Sequence, residues 1–184
     1  RTPEGFADDP WHVLLTGQMV LADFESPGIV ELDSTFTPVW SPSLPEGAGG
    51  FGAVRLPGER TLATWTKLAD LDSDAAIFAA DGTTLWSWPR LKAPLFFPHG
   101  IDLIGTDTVV LADAFTSVIQ AIGLDGEERW RLLGTRFDGS PSGVRVIQVA
   151  GRTMIIATLL WDGAGPAEGR QDRVVAWWVE DDGV

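Results

Sequence analysis

The chain has 184 residues, of which 45% are apolar and 21% are charged, a composition that favours a single globular domain. Thirteen Lys and Arg against 26 Asp and Glu leave a net charge of −13, which argues against a nucleic-acid-binding module and against docking on an anionic membrane. The absence of cysteine excludes disulfides, thiolate metal sites and cysteine nucleophiles. No apolar run approaches the ~20 residues that a membrane-spanning helix needs.

A repeat of about 45 residues organises the chain, and its first unit covers residues 11–41. This unit contains the strand-like stretches 11–15, 19–23 and 29–33, and it closes at Trp40. No segment of the chain shows the apolar spacing of an amphipathic helix.

The second unit (51–88) and the third unit (98–133) share the sequence Asp-Gly-x-x-x-Trp near their ends. Asp-Gly between two apolar runs is a strong signal for a β-hairpin, and it occurs at 81–82 and 125–126. The closing residues, Trp86 and Trp130, have the same place in the repeat as Trp40. We expect these indoles to wedge between neighbouring repeat units, because a ring of large aromatic side chains buries much apolar area.

The fourth unit (142–184) is predicted to be incomplete. It has strand-sized apolar runs at 153–161 and 174–179, and in the latter Trp177 and Trp178 are expected to face opposite sides of a sheet. By the repeat, the next tryptophan falls at position 187. This predicts a piece of a larger ring of units, or a last strand supplied from elsewhere. An open propeller fragment would leave a strand edge and an apolar blade face exposed, which favours pairing or aggregation.

Connecting segments rich in Gly and Pro separate the units at 42–50, 89–98 and 134–141. A longer insertion, 161–173, interrupts the fourth unit. Long inserts in a regular scaffold are places where function concentrates and also places where sequence drifts freely.

Four short strands in each unit of this length are typical of β-propeller blades. The predicted fold class is therefore all-β, a β-propeller of about four four-stranded blades in one domain over 1–184. The unit Pro98 to Leu133, with His-Gly-Ile at its start and Ile-Gly-Leu-Asp-Gly-x-x-x-Trp near its end, resembles a blade of the arylsulfotransferase-like propellers. The Asp-Gly-x-x-x-Trp ending is also similar to quinoprotein-like propellers, which include the scaffold subunit of outer-membrane assembly.

The sulfotransferase resemblance implies that His99 is a channel-lining nucleophile that accepts the sulfuryl group. Imidazole suits this role because its neutral nitrogen is nucleophilic near pH 7. Arg55 and Arg145 occupy similar points of their units and are candidates to hold the sulfate oxygens. The alternative for Arg145 is an ion pair with Asp102 between adjacent blades. The chain has no Asn and no Tyr, which these enzymes and the calcium-binding quinoproteins also use.

An acidic segment offers a candidate calcium site. Asp70, Asp72, Asp74 and Asp81 occupy positions 1, 3, 5 and 12 of a loop that resembles an EF-hand, and Ca²⁺ prefers six to eight such oxygen ligands. Position 6 is Ala75, where the sharp turn needs glycine. The alternative is a solvated acidic turn between two strands.

The leading functional prediction is a non-catalytic binding or assembly domain that acts outside the cytoplasm, in the periplasm or as a secreted protein. It would use a propeller face to hold a protein partner or a small anionic ligand, without a cofactor except for the candidate calcium. The alternative is an arylsulfotransferase-like enzyme with His99 as nucleophile. His12, next to Trp11, is interpreted as a surface residue, since no second histidine lies near it in sequence. A start at Arg1 fits a cleaved secretory leader and fits proteolysis equally well.

Overall fold

A computed structural model of the chain describes residues 28–33, 35–67, 69–89, 94–133, 139–160 and 173–179, and the backbone of 19–22. These residues form fourteen β-strands in four antiparallel sheets. This confirms the predicted all-β fold class. Within the described ranges there is no helix of the length and hydropathy that crossing a membrane requires.

We call the four sheets blades 1 to 4. Blade 1 consists of β1 (Met19–Ala22), β2 (Ile29–Leu32) and β3 (Pro38–Trp40). Blade 2 consists of β4 (Ala48–Leu56), β5 (Arg60–Lys67), β6 (Asp72–Phe78) and β7 (Thr84–Ser87). Blade 3 consists of β8 (Pro98–Ile104), β9 (Thr108–Asp113), β10 (Val118–Gly123) and β11 (Glu128–Leu133). Blade 4 consists of β12 (Ser140–Val149), β13 (Arg152–Leu160) and β14 (Arg173–Trp178).

Each strand pairs with its neighbours in sequence, so every blade is an antiparallel meander. The blades fall into two compact units, one ending at Pro98 and the other starting at His99. Unit 1 therefore holds blades 1 and 2, and unit 2 holds blades 3 and 4.

The core of unit 1 lies between blades 1 and 2. Ile29 of blade 1 is fully buried in a cluster with Ala53, Ala63 and Phe78 of blade 2. The Trp40 ring packs edge-on against Phe78, with 6.2 Å between the ring centroids. The expectation that this tryptophan wedges between neighbouring blades is confirmed.

The core of unit 2 lies between blades 3 and 4. Ile119 and Ala121 of blade 3 are fully buried in a cluster with Val144 and Ile155 of blade 4. Trp130 packs against this cluster, as Trp40 does in unit 1. The same element of the repeat therefore fills the space between blades in both units.

The predicted Asp-Gly hairpins are confirmed at both positions. Gly82 has φ 84° and Gly126 has φ 82°, in the left-handed region that glycine adopts without steric cost. The preceding aspartates stabilise the turns, because Asp81 Oδ1 accepts the Thr83 N–H at 2.9 Å and Asp125 Oδ1 accepts the Glu127 N–H at 3.0 Å.

All three predicted connecting segments overlap the start of the next strand, and the segment 89–98 does so by one residue, since β8 starts at Pro98. Residues 48–50 already belong to β4, and β12 starts at Ser140. Residues 90–93 and 134–138, and all of the insertion except Arg173, lie outside the described residues.

The strand pairing corrects one alignment of the repeat. The sequence aligns Leu62-Ala63-Thr64 with Leu111-Ala112-Asp113. The strand pairing allows the two blades to be compared from their closing tryptophans, since Ile77 lies opposite Trp86 and Ala121 lies opposite Trp130. Two residues earlier, Ala75 pairs with Thr64, whereas Ile119 pairs with Ala112. Thr64 is thus equivalent to Ala112, one residue from the sequence alignment. Since side chains alternate across a strand, Ala63 faces the preceding blade and Ala112 faces the following one.

Candidate functional site

The two ends of each blade differ in their connections. At one end of the blades of unit 2, tight turns join β8 to β9, β10 to β11 and β12 to β13. We call this the hairpin end. At the other end, which we call the loop end, β8 starts, β9 finishes and β10 starts, so that His99, Asp113 and the 114–117 turn lie together.

His99 is half-buried at the start of β8. Burial lowers the pKa of His99 from its ordinary value, and the carboxylate of Asp113 opposes this shift. Burial therefore favours the neutral imidazole, the form that acts as a nucleophile or as a hydrogen-bonding ligand group. Asp113 has no exposed surface, and its Oδ1 accepts the N–H groups of Phe115 and Thr116, each at 3.1 Å.

Side-chain hydroxyl groups lie at the loop end of unit 2 on both blade 3 and blade 4. Ser117 Oγ lies 3.5 Å from Ser140 Oγ, and Ser142 Oγ lies 3.1 Å from Thr158 Oγ1. Ser142 is the extra residue of a β-bulge between Pro141 and Gly143. Bulges re-aim a side chain and occur often near functional sites.

An exposed aromatic side chain stands at the tip of the same turn. The Phe115 side chain is 67% exposed, compared with 48% for Phe36 and 37% for Phe96. The two backbone hydrogen bonds to Asp113 hold its turn in place. A fixed, exposed aromatic beside polar groups is a common anchor for a partner protein.

The structure places Arg55 between blades 1 and 2. Its Nη1 lies 2.9 Å from Glu31 Oε2 and donates to Thr61 Oγ1 at 2.9 Å. The Glu31 side chain is 2% exposed, so this is a buried ion pair. In the described part of the chain, Glu31 Oε1 has no hydrogen-bond partner. The Arg55 guanidinium therefore compensates a buried charge, and removing it would leave that charge unpaired.

Arg145 lies between blades 3 and 4. Its Nη1 donates to the Ile101 carbonyl at 3.2 Å, and Asp102 Oδ2 accepts the Val146 N–H at 2.8 Å. Burial raises the pKa of Asp102, and the nearby Arg145 charge opposes this shift. Each of these two charged groups hydrogen-bonds the backbone of the opposite blade. Among the described residues, Arg145 and Asp102 do not form a direct ion pair, and they interact with each other only electrostatically.

Glycine allows the blades to approach closely at these contacts. A Cβ added to Gly100 would lie 2.4 Å from Val144 N and 2.7 Å from Gly143 Cα. In unit 1, a Cβ on Gly50 would lie 2.0 Å from the Gly28 carbonyl oxygen. Both contacts are to backbone, which has no freedom to rotate away.

The structure does not bring the four candidate calcium ligands together. Asp70 and Asp72 lie at the start of β6, Asp74 lies within it, and Asp81 lies in the hairpin beyond its other end. A strand of seven residues spans roughly 23 Å, too far for ligands of one ion. No cluster of three acidic or histidine side chains suited to a metal ion occurs in the described ranges. Burial raises the pKa of Asp74 to about 6, which disfavours its charged form.

Sequence reasoning singled out His99 but missed its surroundings. Asp113 was recognised only as the end of a repeated strand, and the role of Phe115 and the serines was not predicted. A usable signal was present for Asp113. Because the turn between β8 and β9 spans only 105–107, antiparallel pairing brings the start of β8 to the end of β9. His12 lies outside the described residues.

The antiparallel meanders of three or four described strands and the aromatic side chains packed between them are those of a β-propeller fold. The sequence matches no protein-family model, and no curated protein matches it. Solved structures of similar fold include a streptogramin B lyase, at TM-score 0.57 and 9% identity, with 91% of this chain and 54% of that chain covered. Another is the GH43B protein of a Bacteroides ovatus xyloglucan locus, at TM-score 0.56 and 15% identity, with 98% and 40% covered.

A third similar structure is that of the nidogen/laminin complex, at TM-score 0.50 and 19% identity, with 87% of this chain and 60% of that chain covered. These structures are β-propellers, and they include both enzymes and a protein-binding domain. The chain spans about half the length of the propellers that it resembles. At this level of identity the likeness defines the fold, and function has to be argued from the site.

Proposed function

We propose that this chain is a non-catalytic β-propeller binding module that acts outside the cytoplasm and holds a protein partner at the loop end of its blades. The observation that carries the proposal is the placement of the two candidate anion-binding arginines. Arg55 is committed to a buried glutamate, and Arg145 donates to a backbone carbonyl of the neighbouring blade. Because of these contacts, neither guanidinium group is available to bind a sulfate group at the loop end.

The loop end of unit 2 has the features of a protein-binding surface. It offers the exposed ring of Phe115 with hydroxyl groups and a neutral histidine around it. Aromatic anchors within a polar surround account for much of the binding energy at protein interfaces. The net charge of −13 favours a basic partner over an anionic ligand. The extracytoplasmic location rests on the resemblance of the repeat to the outer-membrane assembly scaffold.

Sulfuryl transfer is the second candidate function, and one observation favours it. His99 is kept neutral by burial and lies within electrostatic range of the Asp113 carboxylate, an environment suited to a nucleophilic imidazole. The protein should be incubated with an aryl sulfate donor and a phenol acceptor, beside the His99→Ala variant. The binding proposal expects no turnover from either protein. Turnover that His99→Ala abolishes would overturn it in favour of the enzyme.

Site-specific photo-crosslinking tests the binding surface directly. A photoreactive residue at position 115 probes the loop end, and one at the exposed position 127 in the Asp-Gly hairpin is the matched control. In cells that produce the protein, we expect a discrete cross-linked product from position 115 only. Equal products from both positions, or none from position 115, would contradict a partner at the loop end.

A further inference from the structure

The turns that join the last two strands of blades 1, 2 and 3 share one backbone conformation. We call these turns the outer hairpins, and they join β2 to β3, β6 to β7 and β10 to β11. In each, an N–H group donates to the carbonyl three residues earlier: Phe36 to Asp33 at 3.0 Å, Gly82 to Ala79 at 3.0 Å and Gly126 to Gly123 at 2.8 Å. The three donor residues have φ of 63°, 84° and 82°. Phe36 therefore has the position that glycine has in the other two hairpins.

A phenylalanine at this position departs from the usual chemistry of the turn. The position has the left-handed conformation, which glycine adopts without steric cost and which costs stability for a residue with a Cβ. For a bulky residue this conformation is rare. The Phe36 side chain remains 48% exposed, so burial within the chain offsets the cost only in part. Residues strained in this way cluster at functional sites, and Phe36 has the features of a binding residue rather than of a core residue.

The exposed residues that follow Phe36 are apolar where blade 3 has charged residues. Pro38 is equivalent to Glu128, because each lies two residues before the closing tryptophan and pairs with the preceding strand. The next residues, Val39 and Arg129, are each the extra residue of a β-bulge. Val39 is 52% exposed, and Pro38 is also exposed. Blade 3 thus shows a form of this hairpin suited to water, whereas blade 1 presents three apolar side chains at the same positions.

Neighbouring blades leave this part of a blade exposed. Blade 1 precedes blade 2 in unit 1, yet Leu85, the bulge residue of blade 2, is 55% exposed. Blade 4 follows blade 3 in unit 2, yet Glu128 and Arg129 are exposed. The exposure of Phe36 and Val39 is therefore a property of the hairpin, and it does not depend on which blades adjoin blade 1.

The charge beside these apolar side chains is negative. Asp33 Oδ1 accepts the Thr35 hydroxyl at 2.6 Å and the N–H groups of Thr35 and Thr37 at 2.8 and 3.0 Å. These hydrogen bonds lower the pKa of Asp33, the Thr35 hydroxyl most of all, so its carboxylate is charged near pH 7. In the outer hairpin of blade 3, Arg129 pairs with Asp125 at 2.8 Å, but among the described residues no Lys or Arg forms an ion pair with Asp33. A cationic group on another molecule would be attracted to this carboxylate.

We propose that the outer hairpin of blade 1 is a docking surface for a protein partner, which receives the Phe36 ring in an apolar pocket and places a Lys or Arg opposite Asp33. Pro38 and Val39 extend the apolar contact beside the ring. An aromatic side chain that fills a pocket within a charged rim is the usual form of a binding hot spot. This surface belongs to unit 1 and the loop end with Phe115 belongs to unit 2, so the inference does not depend on the proposed function.

Stability measurements separate a binding role of Phe36 from a packing role. Phe36→Ala should change the ratio of folded to unfolded chain by no more than about threefold, as expected for a surface residue. Phe36→Gly should have a ratio at least about five times that of Phe36→Ala, because both variants lack the ring and only alanine keeps the strained Cβ. Urea unfolding measures both ratios. A loss of about tenfold or more in Phe36→Ala, or equal stability of the two variants, would overturn the proposal.

Site-specific photo-crosslinking in cells that produce the protein tests the partner. A photoreactive residue at position 39 probes the outer hairpin of blade 1, and one at the equivalent position 129 of blade 3 is the matched control. We expect a protein product from position 39 only, joined to a partner segment that contains Lys or Arg and reduced at least about tenfold by Phe36→Ala. Products from position 115 should not change in that variant, which separates this test from that of the loop end.

Three results would overturn the proposal. One is equal products from positions 39 and 129, or no product from position 39. Another is a product from position 39 that Phe36→Ala leaves unchanged or that joins an acidic segment. The third is a product with lipid instead of protein, which would assign the hairpin to a membrane surface.

Discussion

Two contacts between blades can be compared, that of blade 1 with blade 2 and that of blade 3 with blade 4. They share a close backbone approach but use different polar groups. In both, a glycine backbone approaches the neighbouring blade closely, at Gly50 and at Gly100. Unit 1 then uses a buried ion pair, Arg55 with Glu31. Unit 2 uses Asp102 and Arg145, each bound to backbone across the contact. The shared part is steric and the variable part is electrostatic, so the charged residues at these positions are read as structural.

A large effect is expected from a substitution that breaks the shared steric part of the two contacts. Gly100→Ala places a Cβ against the backbone of Gly143 and Val144, and should lower the free energy of unfolding by about 3 kcal/mol. Gly50→Ala should cost a similar amount, because its added Cβ also meets backbone. Gly105→Ala is the control, with open space and φ 60°, and should cost only about 1 kcal/mol. Urea unfolding measures all three, and a Gly100 loss equal to that of Gly105 would show that the contact is not tight.

A smaller loss of stability is expected when the polar contact of unit 2 is removed. Asp102→Ala leaves the Val146 N–H without its acceptor and should cost about 1–2 kcal/mol. Asp102→Asn keeps an acceptor oxygen and removes the buried charge, so it should cost less. Both variants should be compared by chemical denaturation at several pH values.

The pH dependence of that comparison has a definite sign. The pKa of Asp102 is raised in the folded chain above its ordinary value of 3.8, so the folded state holds its proton more tightly than the unfolded state. Its contribution to stability is therefore lost as pH rises from about 4 through the raised pKa. The wild type should lose stability relative to Asp102→Asn over that interval. An unchanged difference between the two proteins from pH 3.5 to about 7 would contradict the burial of this carboxyl.

Local sequence signals predicted the parts of the fold that local physics decides. Asp81-Gly82 and Asp125-Gly126 form the expected hairpins because glycine alone enters the left-handed region without cost. Trp40 packs between blades 1 and 2, because the apolar space between the blades buries a large ring at this position of the repeat. The alignment of Thr64 with Asp113 was wrong by one residue. Near-identical triplets in the two blades concealed a shift in register, which only the pairing with neighbouring strands determines.

The candidate site was predictable only in part, because its geometry depends on contacts between distant residues. The resemblance of the third unit to a known type of blade drew attention to His99, and the short turn after β8 brings Asp113 to it. The commitment of Arg55 to Glu31 was not predictable from spacing, since the two residues lie in different blades. The acidic series failed as a ligand set because β6 runs extended through it and separates Asp81 from Asp70. A loop spacing has meaning only where the chain forms a loop.

A double-mutant cycle on Glu31 and Arg55, measured by urea unfolding with and without sulfate, tests most directly whether the arginine serves the blade contact or a ligand. Arg55→Met alone should cost about 3–5 kcal/mol, because it leaves a buried carboxylate unpaired. Combined with Glu31→Gln, we expect part of that loss to be recovered, with a coupling energy of at least about 2 kcal/mol and no effect of sulfate. A coupling below about 0.5 kcal/mol, together with stabilisation by sulfate that requires Arg55, would contradict the account and assign this arginine to an anion site.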